Sequence, residues 1–288
     1  MRTLGYALAP LLLLVVLAAL ASLFSYGLLR VLGDVLPIAK LISKVTLVLL
    51  LISVWPLKRY LRLSWRDLGF APLRRFSRQL QQGLLLALLT LSPVLLVLYG
   101  LDVQVWDTAH DWSAGKIAGK VVLALCLSLL IGVGEELLFR GVLLSGLRRQ
   151  MPLVAAIVLS ALYYALLHFL KSSTQIPYAE LTLFTGWQLM LEAFANWLNP
   201  AILSALTALF VVGLFLAVIR SRVRHSLGLC IGCHAGWVWQ IKICKDLFNV
   251  NQQSDYLYLV SSYDGVIGPL VSVWLLLAML GLIVFGKR

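Results

Sequence analysis

The chain has 288 residues, of which 61% are hydrophobic and 12% charged, with a formal net charge of +12. So apolar a composition excludes a soluble domain. It predicts an all-α, polytopic membrane bundle of about eight transmembrane helices, forming a single membrane domain over residues 1–288. The positive charge does not make nucleic acid the expected partner, because the cations lie in short loops beside apolar runs, as the positive-inside rule requires.

Residues 4–29 read as the first span. Arg2 and Ala19-Leu20-Ala21 give it some features of a cleavable signal, but its apolar run is longer than a usual signal core, so a retained anchor is expected. Residues 36–57 form the second span, with Lys40 and Lys44 near its start reaching for water. Residues 58–79 carry Lys58, Arg59, Arg62, Arg66, Arg74, Arg75 and Arg78 against the single acid Asp67. With Trp65, Leu68 and Phe70 interleaved, they read as a basic, amphipathic cytoplasmic segment on anionic headgroups, or as a plain solvated loop.

The third span, 80–101, contains Pro93, a candidate kink. Asp102, Asp107, His110 and Asp111 then form an acidic outer loop, too loosely spaced for a convincing metal site. The fourth span, within 117–147, carries Glu135, Glu136 and Arg140. The fifth, 153–170, carries His168. Residues 171–199 read as an outer or partly inserted amphipathic segment. The sixth span, 201–219, leads into Arg220, Arg222, Arg224 and His225, and the seventh, 226–243, carries His234. The eighth, 266–285, ends in Lys287 and Arg288. Eight spans place every strongly basic loop on one side, with both termini cytoplasmic. The short loops suggest a bacterial inner membrane. The four cysteines lie in or beside apolar stretches and give no case for a disulfide framework.

Ionisable groups at membrane depth are expensive and mark function by default. Glu136 and Arg140 are four apart, acid first, the favourable order for an ion pair on a helix. Glu135 points elsewhere and has no built-in partner, which makes it the candidate for chemistry. At roughly 1.5 Å per residue, Glu135 lies about 18 Å from the cytoplasmic helix ends, His168 about 22 Å and His234 about 12 Å. The three side chains are expected to converge in one cavity. A carboxylate there suits a general base, a histidine can hold water, and a second histidine can stabilise an oxyanion. Together they point to hydrolysis of an amide within the membrane.

Glu135-Glu136-x-x-x-Arg140, Tyr164-x-x-x-His168 and the His234 segment, in this order on separate spans, resemble the CPBP family of CAAX-protease and bacteriocin-processing membrane endopeptidases, including type II CAAX prenyl endopeptidases. The resemblance covers about residues 116–248 as the catalytic core. It implies a helical intramembrane protease acting on a membrane-associated peptide or protein substrate in the bilayer. Glu135 would activate water, His168 and His234 would complete the site, and Glu136, Arg140 and Tyr164 would support it. The family's third motif usually runs His-x-x-x-Asn, with the amide helping to hold the oxyanion. Here that place is Val238. A donor must then come from Trp237, Trp239, Gln240, Asn196 or His234 itself. No cofactor is expected, although Glu135, His168 and His234 are also a ligand set for catalytic zinc.

Other readings use the same residues. Cys230-Ile231-Gly232-Cys233-His234 has the form of a c-type haem attachment site, but it lies inside an apolar span. A catalytically silent scaffold or immunity protein of the same fold would explain Val238. A proton-coupled transporter would explain the buried titratable groups. Substrate identity and oligomeric state are not legible in the sequence.

Overall fold

The computed structural model describes residues 2–285. Lys287 and Arg288, expected to end the eighth span, lie outside the described residues. Among the described residues, nine helices make up the fold. They are α1 (Arg2–Leu32), α2 (Ile38–Tyr60), α3 (Leu73–Gly100), α4 (Ala114–Leu147), α5 (Leu153–Leu167), α6 (Thr185–Ala195), α7 (Leu203–Arg222), α8 (Leu227–Leu247) and α9 (Pro269–Phe285). The all-α membrane bundle expected from composition is what the structure shows. Helices α1, α2, α3, α4 and α7 are long and apolar enough to cross a bilayer, and α5 and α9 are apolar but shorter.

Proline sets several helix starts. Pro37, Pro72 and Pro152 directly precede α2, α3 and α5, each with φ between −56° and −53°. A residue with its φ fixed there and no N–H to satisfy enters a first turn cheaply. Pro93 lies within α3, which continues past it.

The bundle is held where small residues let backbones approach. Gly228, Gly232 and Gly236 recur every four residues on α8 and face α3. A Cβ on Gly228 would lie 2.9 Å from the Phe76 carbonyl oxygen. One on Gly236 would lie 2.5 Å from the Ala87 Cβ, and one on Gly232 would collide with the Leu80 carbonyl. From the other side, a Cβ on Gly83 of α3 would lie 2.6 Å from the Cys233 backbone nitrogen. Close backbone packing of this kind is a main source of helix association in lipid, where lateral hydrophobic drive is absent. Gly213 of α7 plays the same part against Ala161 of α5. The largest apolar cluster, with Phe215, Leu216, Leu209, Tyr164 and Phe169, lies among α3, α5, α7, α8 and α9.

Two features depart from a plain helical reading. Between α3 and α4, β1 (Gln104–Trp106) pairs antiparallel with β2 (Phe248–Val250), which follows α8, in the register Val105 opposite Asn249. The acidic outer loop is therefore partly an ordered ribbon, and His110 pairs with Asp107 within it. Residues 58–79 are not continuous in structure. They divide among the last turn of α2, a turn at 61–72 and the start of α3. Leu68 of that turn is fully buried, the Leu227 N–H donates to the Gly69 carbonyl, and Ser145 donates to that of Asp67.

Candidate active site

Helix α4 carries both glutamates at the point where its winding changes. From Leu137 to Leu143 it runs as a π-helix before returning to α geometry. Such wider turns are rare and often accompany functional sites. Arg140 lies in this stretch, and its Nη1 donates to Glu136 Oε1 at 2.9 Å, with both side chains wholly buried. Its Nη2 donates to the Gly213 carbonyl of α7 at 3.2 Å, and its guanidinium stands 4.5 Å over the Tyr164 ring. Glu136 Oε1 also accepts from His234 Nδ1 at 2.8 Å. One carboxylate thus ties α4 to α8, while its arginine ties α4 to α7.

The histidines are each held at one ring nitrogen. His168 follows the last turn of α5, and its Nδ1 donates to the Tyr164 carbonyl at 2.7 Å. His234 Nδ1 is committed to Glu136. In both rings the Nε2 atom remains, and both point to the same place: Glu135 Oε2 stands 3.7 Å from His168 Nε2 and 3.8 Å from His234 Nε2. These separations exceed a direct hydrogen bond. Glu135 Oε2 is itself buried without a hydrogen-bond partner. An orphaned carboxylate oxygen costs free energy unless a small polar molecule completes it. The side chain of Glu135 is 26% exposed and that of His168 19%, against 4% for His234. The site is therefore open on the Glu135 and His168 side and closed behind His234.

The structure thus brings Glu135, His168 and His234 together, with Glu136, Arg140 and Tyr164 behind them. It deals differently with the groups considered in place of the missing asparagine. The Trp237 indole N–H donates to Thr90 Oγ1 at 2.8 Å, and that of Trp239 to the Val121 carbonyl at 3.0 Å. The Gln240 amide donates to the Ala87 and Gly236 carbonyls. The Asn196 amide donates to the Phe169 carbonyl at 2.8 Å. All four are engaged elsewhere, which leaves the His234 ring. Val238 lines a small apolar cavity of about 40 Å³ together with Tyr164, His234 and Trp237.

Zinc would draw on the two Nε2 atoms and Glu135 Oε2. Among the described residues, however, no three His, Cys, Asp or Glu side chains stand in metal-holding geometry. Cys230 and Cys233 are free thiols, both fully buried, with no open path for haem attachment.

Two links were not read from the sequence. The Glu136–His234 bond joins residues 98 apart and leaves no local pattern. The Gly228, Gly232, Gly236 ladder did leave one, a four-residue repeat of glycine in an apolar run.

Residues 117–240 match the model of a family described as Rce1-like, type II CAAX prenyl endopeptidase. No curated protein and no solved structure matches the chain. The matched stretch holds Glu135, Glu136, Arg140, Tyr164, His168 and His234, so the resemblance read from these motifs is borne out there.

Proposed function

We propose that the chain hydrolyses a peptide bond of a membrane-associated substrate, within the bilayer, by glutamate-activated water. The observation that carries this reading is Glu135 Oε2, buried without a partner and within 3.8 Å of two imidazole nitrogens. Water placed among the three donates one proton to Glu135. Its other O–H stays intact and is hydrogen-bonded to His168 Nε2, which offers a lone pair because Nδ1–H is spent on Tyr164. The water oxygen attacks the peptide carbonyl carbon as Glu135 takes the proton. Glu135 then passes that proton to the leaving amine as the C–N bond breaks. His234, when protonated, keeps Nδ1–H on Glu136 and donates from Nε2 to the carbonyl oxygen as it becomes anionic. Glu136 and Arg140 hold that ring in position.

The same reading takes eight helices as membrane crossings, residues 116–248 as the catalytic core, and the arginine-rich end as cytoplasmic. No step is routed through a metal, and retention of activity after chelation is expected. A prenylated peptide with a C-terminal CAAX sequence is the first substrate to try. Glu135→Gln in purified, nanodisc-embedded protein is expected to abolish its cleavage while leaving the thermal midpoint unchanged. Undiminished turnover would remove the mechanism.

Val238 favours one second reading, a silent membrane scaffold of the same fold. It predicts no cleavage by the unmodified chain of any membrane peptide offered.

A further inference from the structure

At the arginine-rich end of the bundle lies a second cavity of about 370 Å³. Five arginines line it: Arg66 from the turn after α2, Arg148 and Arg149 from the end of α4, Arg220 from the end of α7, and Arg224 from the loop before α8. Among the described residues, the only carboxylate in its wall is Asp67.

The hydrogen bonds separate these cations into two kinds. Arg220 is nine-tenths buried, its Nη2 donates to the Asp67 carbonyl at 2.7 Å, and its Nε has no partner. Arg149 donates to the Leu61 carbonyl and stands 3.6 Å from Asp67 Oδ2. These two hold the 61–72 turn in place. The side chains of Arg66, Arg148 and Arg224 make no hydrogen bond or ion pair among the described residues, yet they border the same space. Loop carbonyls therefore account for two guanidinium groups and leave three unpaired around an open basin.

Three solvent-facing guanidinium groups bordering one space concentrate positive potential there, which favours a negative occupant. Guanidinium forks from separate elements match the oxygens of a phosphate, which accepts two donors from each. A single carboxylate would leave most of the forks unmet. The volume is within the range of small-ligand sites, about 300–1,000 Å³. We propose that this basin is a binding site for a phosphate-bearing anion, presented either as a phospholipid headgroup or as free phosphate. It is independent of the protease reading, since it uses none of Glu135, His168 or His234.

The test compares two double variants of exposed arginines on the same basic face. R148Q/R224Q removes two unpaired cations of the basin, and R74Q/R78Q removes two that do not line it. Each protein is placed in nanodiscs of phosphatidylcholine with increasing phosphatidylglycerol, and bound lipid is read by native mass spectrometry. In neutral detergent, the thermal midpoint is followed with added inorganic phosphate against chloride at equal ionic strength. The expected result is phosphatidylglycerol or phosphate affinity about thirtyfold weaker in R148Q/R224Q and nearly unchanged in R74Q/R78Q. A response to the lipid alone assigns the headgroup, and a response to phosphate alone assigns the free anion. Equal losses in both variants would mean diffuse surface charge and overturn the site. So would the absence of any response in the unmodified protein.

Discussion

Replacing Arg140 with methionine tests how the site is held. The guanidinium and the Glu136 carboxylate are both fully buried. Methionine fills most of the volume against Phe139 and Tyr164, so little cavity is created. What changes is charge. Glu136 keeps the His234 bond but loses its cation, and breaking a buried pair from one side costs about 3–5 kcal/mol. Two atoms of the pair already lack partners, Glu136 Oε2 and Arg140 Nε. The second variant of the cycle, Glu136→Gln with Arg140→Met, removes both charges and keeps an amide oxygen for His234 Nδ1. Its cost should approach that of an ordinary lost hydrogen bond, about 1 kcal/mol. Arg140→Met alone should therefore be less stable than the double variant by about 2–4 kcal/mol. Reversible unfolding by SDS in mixed micelles measures the difference. If Arg140→Met lies within about 1 kcal/mol of the unmodified protein, or the double variant is no more stable than the single, the pair does not hold the site as argued.

Gly232→Val drives a side chain into the Leu80 carbonyl and should lower both the thermal midpoint and turnover, whereas Gly281→Val, with open space around it, should change neither. Val238→Asn should raise kcat by about tenfold in a peptide-cleavage assay, since it restores an oxyanion donor beside His234; an unchanged kcat would mean that His234 suffices. The Ser64 backbone N–H and hydroxyl both donate to Asp67, holding its carboxyl below its ordinary value of 3.8. The stability this gives is complete above that value and is lost as pH falls through the lower, folded one. Thermal midpoints between pH 5 and pH 2.5 should therefore fall less steeply in Asp67→Asn, by a small margin because the side chain is nearly half exposed.

What was legible followed from cost. Glu135, Glu136, Arg140, His168 and His234 stand out because charge and imidazole are improbable inside apolar runs, and the four-residue step from Glu136 to Arg140 names its own pair. The helical class follows because lipid admits only helices and closed barrels, and apolar runs of about 20 residues suit helices rather than short alternating strands. Contacts between helices are another matter. The bond from Glu136 to His234 depends on how α4 and α8 cross, where Gly132 of α4 lets its backbone lie close to Ile231 and Ala235 of α8. The wide turn at 137–143 has no residue signature. Residues 61–72 are silent on their anchoring: nothing in their pattern says that Leu68 is buried or that arginines from other helices take up the turn's own carbonyls.

The shortness of α5 links fold to chemistry. Its 15 residues rise only about 22 Å, so the helix ends at His168 before a hydrocarbon core of about 30 Å is crossed. The chain then continues as irregular backbone until Tyr178. Unpaired carbonyls at that depth are tolerated only where protein covers them or water reaches them. Protein covers some: the Asn196 amide caps the Phe169 carbonyl, and the Trp197 indole caps that of Leu166. His168 stands at the break, with its side chain still partly exposed. A full-length α5 would have carried paired backbone past this level and sealed it. The early end of the helix leaves His168 and Glu135 partly exposed beside the orphaned oxygen, which is where the proposed hydrolysis would need its water.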